Sequence, residues 1–205
     1  AVVTFTITTY LAKYRNGLYS LFADYFNLFE KISLVKRNLK YRGNKKKSII
    51  LIGAHRMGSI FLHNFLKERK KVFVIDYDPD LIEELVKKKI PCMYGDIENE
   101  EVLKEARIHE AKLIISTVPD KEDNIFLIKH AKEFNPNGLV FVTANHLHDA
   151  FDFYSKGADY VIFPHILTAE RISKLIYTVF NNKNKMTNLR NDHLKHLSNI
   201  KLFGH

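Results

Sequence analysis

The 205-residue chain has one cysteine, Cys92. That excludes an internal disulfide and any multi-cysteine metal site, and it fits a reducing cytosol. The stretch that opens the chain, Ala1 to Ala12, is apolar and small-polar with no charge before Lys13. It is too short to cross a bilayer, which needs about 20 apolar residues. It also lacks the basic lead and the small-residue cleavage site of a signal peptide. We expect the domain from Lys47 to about Asn184 to be cytosolic.

What is present supports a packed domain. Apolar residues make up 46% of the chain, so a real core can form and wholesale disorder is excluded. The net charge is +9. Its excess is concentrated ahead of the first strand, in Lys13, Arg15, Lys31, Lys36, Arg37, Lys40, Arg42, Lys45, Lys46 and Lys47. Basic residues directly after an apolar segment match the cytoplasmic flank of a membrane span. We therefore expect residues 1–46 to be the end of a transmembrane helix followed by a basic linker facing an anionic membrane surface. A buried strand or helix of a soluble protein is the plainer alternative for Ala1 to Ala12. Asn16 to Ile32 places Leu18, Leu21, Phe22, Tyr25, Phe26 and Phe29 at helical offsets, which makes an amphipathic helix. Asn38 to Lys47, polar and holding Gly43, reads as a linker.

From Ser48 the pattern changes. Ser48 to Ile52, Val72 to Ile75, Pro91 to Tyr94, Leu113 to Thr117, Leu139 to Thr143 and Tyr160 to Phe163 are short apolar runs that suit buried strands. Helical stretches separate and follow them: Met57 to Glu68, with Ile60, Phe61 and Phe65 turned inward; Pro79 to Lys88; Asn99 to Arg107, capped by Asn99; Glu122 to Phe134; Leu147 to Lys156; and Thr168 to Asn181. Six strands alternating with helices predict an α/β fold with a Rossmann-like, doubly wound, six-stranded parallel sheet over residues 47–184. Residues 185–205 read as a polar tail, either a short helix or disordered.

The turn after the first strand is Gly53-Ala54-His55-Arg56-Met57-Gly58, a G-x-G-x-x-G pattern with histidine at the second glycine. The first glycine permits the tight turn, and the last lets helix and strand pack closely. Exposed amides at the helix start then face a phosphate. The middle glycine ordinarily lets the backbone approach a pyrophosphate, and His55 hinders that. Either its ring touches a phosphate or reshapes the pocket for a mononucleotide, or a pyrophosphate rides higher. Arg56 can form charge-assisted bonds to phosphate oxygens. Asp76 ends the second strand about twenty residues on, where it can accept both ribose hydroxyls and repel a 2′-phosphate. NADP is thus disfavoured. Tyr77 or Asp78 would sit beside the adenine, and Asp96 and Ile97 would border it. Ser116, Thr117 and Val118 would face phosphates or a distal ribose. An Asp96 that merely caps a helix is the simpler reading of that residue, and a degenerate domain that binds nothing is the simpler reading of the whole.

Further landmarks are Tyr94-Gly95-Asp96, Ser116-Thr117-Val118-Pro119-Asp120 with Asn124, Thr143-Ala144-Asn145, and Gly157-Ala158-Asp159-Tyr160-Val161-Ile162-Phe163-Pro164-His165. With the glycine turn and Asp76, they make Ser48 to about Lys174 resemble the TrkA-N family, the N-lobe of RCK domains (regulators of potassium conductance). The resemblance is to the form attached to Kef-type cation/proton antiporters. It implies a Rossmann lobe that binds NAD(H), AMP, ADP or ATP without turning it over, forms a homodimer, and gates a linked transmembrane antiporter. By motif position it implies ligand contacts at Gly53, Arg56, Asp76, Asp96 and Thr117. It places Thr168 to Asn181 like the crossover helix that packs on a partner subunit. His55 departs from the family pattern and favours a mononucleotide.

The main alternative is a soluble NAD-dependent oxidoreductase. A tyrosine with lysine four residues later, one common proton-transfer device, occurs only at Tyr41 and Lys45, ahead of the first strand. His146, His148 and His165 lie near strand ends and keep a histidine acid open. A nucleic-acid module would use the linker lysines and Tyr41, but no recognition motif accompanies them, and we expect no nucleic-acid partner. His193 and His196 could share a helical face as metal ligands, without a cysteine or acid cluster to complete the set.

Overall fold

The computed structural model describes residues 40–41, 43, 48–180 and 185–199. The expectations for Ala1 to Ala12 and for Asn16 to Ile32 fall outside them. In chain order the strands are β1 (Lys40–Tyr41), β2 (Ile49–Ile52), β3 (Val72–Asp76), β4 (Cys92–Tyr94), β5 (Leu113–Ser116), β6 (Leu139–Thr143) and β7 (Tyr160–Ile162). The α-helices are α1 (Arg56–Lys67), α2 (Pro79–Lys87), α3 (Glu100–Ala106), α4 (Lys121–Phe134), α5 (Leu147–Ser155), α6 (Pro164–Phe180) and α7 (Lys185–Asn199).

The sheet order is β1-β4-β3-β2-β5-β6-β7. From β4 to β7 every pairing is parallel. The strand β2 lies between β3 and β5, so the chain winds outward in one direction and then in the other. The carboxyl ends of β2 and β5 therefore part at a switch point, where open α/β sheets hold ligands.

Alternation along each strand builds two cores. Ile50, Ile52, Phe73 and Ile75 pack on one face with Leu103, Leu127, Ile128, Ala131 and Phe153. Ile49, Leu51, Val72 and Val74 pack on the other with Leu62, Leu81, Ile82 and Leu85. Helices α3, α4 and α5 thus cover one face, and α1 and α2 the other. A side-chain period of two in strands buried on both sides requires this division.

The sheet has seven strands where the sequence predicts six. The additional one, β1, lies in the stretch expected to be a linker and pairs antiparallel with β4, Lys40 opposite Met93 and Tyr41 opposite Cys92. Two exposed residues give no apolar alternation to read; the pairing satisfies the open edge of β4. Lys40 is anchored further by an ion pair to Glu105, 2.8 Å away. Two more differences are local. In α1, Ile60 is 41% exposed, and Leu62, fully buried, takes the inward position with Phe61 and Phe65 packed beside it. The helix α6 starts at Pro164, four residues before the expected Thr168, because proline suits a helix's first turn. The tail contains the helix α7, with His193 and His196 both exposed on it.

Candidate functional site

Two of the three motif positions hold glycine for steric reasons visible in the structure. Gly53 has φ +78°, and a Cβ there would lie 2.7 Å from Thr117 Oγ1. A Cβ on Gly58 would lie 2.0 Å from the carbonyl oxygen of Gly53. The turn is closed from the other side by Thr117, whose hydroxyl donates to that same Gly53 oxygen at 3.0 Å. The switch point is thereby pinned between β2 and β5.

The first turn of α1 is left open to an anion. Asp78, Asn99 and Asp120 cap α2, α3 and α4 with side-chain oxygens, whereas the α1 N-cap, His55, like His146 of α5, makes no side-chain capping bond. Amides at such an end favour negative charge. Arg56, the first residue of α1, is exposed and has φ +36°. Arg69, Lys89 and Arg107 also have positive φ, but each follows the end of a helix, where the left-handed conformation is common. At the start of a helix it stores strain, which is typical of functional turns.

Asp76 lies across the turn and is 3% exposed. Its Oδ2 accepts the Ala54 N–H at 2.7 Å and its Oδ1 accepts the Asp78 N–H at 2.9 Å. The carboxylate is held rigid, and each oxygen keeps a lone pair for a further donor such as a ribose hydroxyl. Next to it, Tyr77 is 72% exposed, a free aromatic face for a base.

The His55 side chain is part of the pocket wall and is held by the β3–α2 loop. Its Nε2 lies 2.9 Å from Asp78 Oδ2. Burial works against the charge on Asp78, but the amides of Asp80 and Leu81 and the His55 imidazole hold its carboxyl below the usual range.

These groups open onto a pocket of about 350 Å³ lined by Gly53, His55, Arg56, Met57, Asp76, Tyr77, Thr117, Val118, Pro119, Thr143, Asn145 and Pro164. Eight of the residues expected from sequence come together here. Four do not line it. Gly58 is buried behind the turn, and Ser116 is fully buried, its Oγ accepting the Val118 N–H at 3.3 Å. Ile97 is core, 4% exposed. Asp96 is exposed, and its Oδ1 accepts the Glu98 N–H at 3.1 Å in the turn ahead of α3, whose cap is Asn99 and not Asp96. Pro119, Thr143, Asn145 and Pro164 also line the pocket and are not among the residues expected there from sequence, although each belongs to a landmark stretch. Their place after β5, at the carboxyl end of β6 and at the start of α6 is the signal that could have found them. Among the described residues, no three histidines, cysteines or acids are grouped to hold a metal.

The comparisons agree with this fold. A potassium channel protein described as probable, from Methanocaldococcus jannaschii, is 31% identical over 166 residues, 77% of this chain and 48% of its own. The chain thus spans about half the length of that curated relative. The TrkA-N domain of the inner membrane protein ybaL from Escherichia coli superposes with a TM-score of 0.62 at 22% identity, covering 65% of this chain and 98% of that one. The Kef C-terminal domain of Shewanella denitrificans in its AMP-bound form superposes with a TM-score of 0.58 at 16% identity, covering 75% and 93%. The family model described as the TrkA-N domain matches residues 49–164, more than half of the chain, and the protein belongs to that family.

Proposed function

We propose that the domain is a regulatory sensor that binds an adenine nucleotide (AMP, ADP, ATP or NAD(H)) and gates a linked monovalent-cation/proton antiporter, carrying K+ or Na+, at the cytoplasmic face of the cell membrane. One observation carries this reading. An uncapped helix start with a strained, exposed Arg56 faces the buried carboxylate of Asp76 across a pocket at the switch point. The first pair suits a phosphate, the second a ribose, and Tyr77 a base. The structural relative captured with AMP supports the same ligand class.

A sensor must also transmit. The helix α6 begins at Pro164 in the pocket wall and exposes Ile172, Ile176, Tyr177 and Phe180 at 45%, 55%, 70% and 83%. A patch of that size invites a partner, and a homodimer through this helix would couple the pocket to quaternary shape. Lys36, Arg37, Arg42 and Lys45 to Lys47 would meet the anionic membrane surface between the domain and its transporter.

A channel in place of the antiporter is favoured by one observation, the relative described as a potassium channel protein that matches over three quarters of the chain. Oxidoreductase chemistry finds less support. The ionisable groups in the pocket wall are His55, Arg56, Asp76 and Tyr77, and His146, His148 and His165 are not among them. The test is calorimetric titration of the chain with AMP, ATP, NAD and NADH, beside Asp76→Ala and Arg56→Ala. Loss of affinity in both variants, with the circular-dichroism spectrum retained, is the expected result. Unchanged affinity in both would place the ligand elsewhere.

A further inference from the structure

The bond between His55 and Asp78 closes a ring. His55 Nε2 meets Asp78 Oδ2 at 2.9 Å, and the Asp78 N–H donates to Asp76 Oδ1 at 2.9 Å. Asp76 Oδ2 then accepts the N–H of Ala54, the residue before His55, at 2.7 Å. The glycine turn and the β3–α2 loop are thus tied twice, once by a backbone amide and once by an imidazole. Asp78 is itself fixed, because its Oδ1 accepts the Asp80 N–H at 2.8 Å at the start of α2.

The ring has a consequence for the pocket. His55 is part of the wall and Asp78 is not, so the imidazole stands between the cavity and the acid that holds it. His55 occupies the position where a glycine would let backbone and pyrophosphate touch. A side chain free to rotate could yield to a pyrophosphate; one bonded to a fixed carboxylate yields only by giving up that bond. A single phosphate at the start of α1 need not cross this position. It meets Arg56 and the first amides directly. The cavity, about 350 Å³, stands near the lower end of the roughly 300–1,000 Å³ usual for ligand pockets.

Resting on the nucleotide reading above, we infer that His55 is the specificity-determining residue of this pocket and Asp78 its positioning residue, and that together they select an adenine mononucleotide over a dinucleotide. Asp78 acts through His55. It does not itself line the cavity, and its side chain meets the wall only through the imidazole.

The experiment is titration of the full chain with 5′-AMP and with NAD, comparing the ratio of the two dissociation constants across variants. The wild-type chain is expected to favour AMP by about tenfold or more. His55→Gly should shrink that ratio at least several-fold, chiefly by tightening NAD. The backbone at His55, φ −79° and ψ 169°, suits any residue, so the glycine is not required for the fold. Asp78→Asn preserves an α2 cap, because asparagine caps as well as aspartate. It should move the ratio in the same direction by a smaller factor. His55→Ala, which removes the ring and keeps the Cβ, provides a second variant if the glycine form is unstable. A ratio unmoved by loss of the imidazole overturns the inference, as does a wild-type chain that binds NAD as tightly as AMP; both leave the nucleotide reading standing. A wild-type chain that binds neither ligand removes that reading and this inference with it.

Discussion

Gly58 and Gly53 approach so closely that a Cβ on the first would lie 2.0 Å from the carbonyl oxygen of the second. The obstacle is backbone, and Thr117 holds that same oxygen through its hydroxyl, so the turn cannot swing away. Gly58→Ala should therefore force α1 off β2 and destabilise the domain by about 1–3 kcal/mol, the usual cost of overpacking. A urea midpoint lowered by that amount at constant slope would show it. A midpoint equal to wild type would mean that the turn is looser than its geometry implies.

Arg56 should separate stability from affinity. Glycine accepts φ +36° without the penalty borne by a side chain. Arg56→Gly is thus expected to relieve strain of about 1 kcal/mol while removing the one lysine or arginine that lines the pocket among the described residues. The thermal midpoint should rise or hold, and affinity for phosphate-bearing ligands should fall with a weaker dependence on salt. A fall in both quantities would assign Arg56 a structural bond instead.

Asp123 governs a pH effect on stability. Burial, then the nearby carboxylates of Asp120, Glu98 and Asp96, push its carboxyl up from 3.8 to about 6. An acid raised in the folded state stabilises the fold while protonated. Its contribution is present below the unfolded value of 3.8, declines as pH rises to about 6, and is gone above that. Asp123→Asn should accordingly stabilise the domain at pH 7, by about 1 kcal/mol at most once solvent screening is counted. The advantage should vanish near pH 4. Denaturation curves across pH 4 to pH 8 would check the slope, and an advantage that grew toward acid would have the wrong sign.

The exposed face of α6 bears on oligomeric state. Ile176 is 55% exposed with Ile172 one turn before it and Phe180 one turn after. Charge placed amid a covered apolar stripe is costly, so Ile176→Glu should shift a dimer to monomer in light scattering while leaving the circular-dichroism spectrum unaltered. An unchanged mass for the variant, at dimer or monomer, would show that this face is not the contact.

The buried sheet was legible in the sequence because its strands are near-continuous apolar runs, and Leu139–Thr143 agrees residue for residue. Capping residues made Asn99 readable as well. The strand β1 was not, since two exposed residues have no periodicity and their pairing is decided by the free edge of β4. Around the pocket, Gly53, Arg56, Asp76 and Thr117 follow from the glycine turn and strand ends. The partner of His55 does not, because imidazole contacts depend on which of several nearby groups the loop presents. Nor does the contribution of Pro164, which comes from an element more than a hundred residues away in the chain.

Pro164 is both a piece of the pocket wall and the root of a 17-residue rod. Such a rod is about 25 Å long, so leaning it by about 5° at its base swings its far end through about 2 Å. Phe180, at that far end, is 83% exposed and would travel the furthest. Displacements too slight to notice beside a ribose would arrive at the tip enlarged to the size of a side-chain repacking.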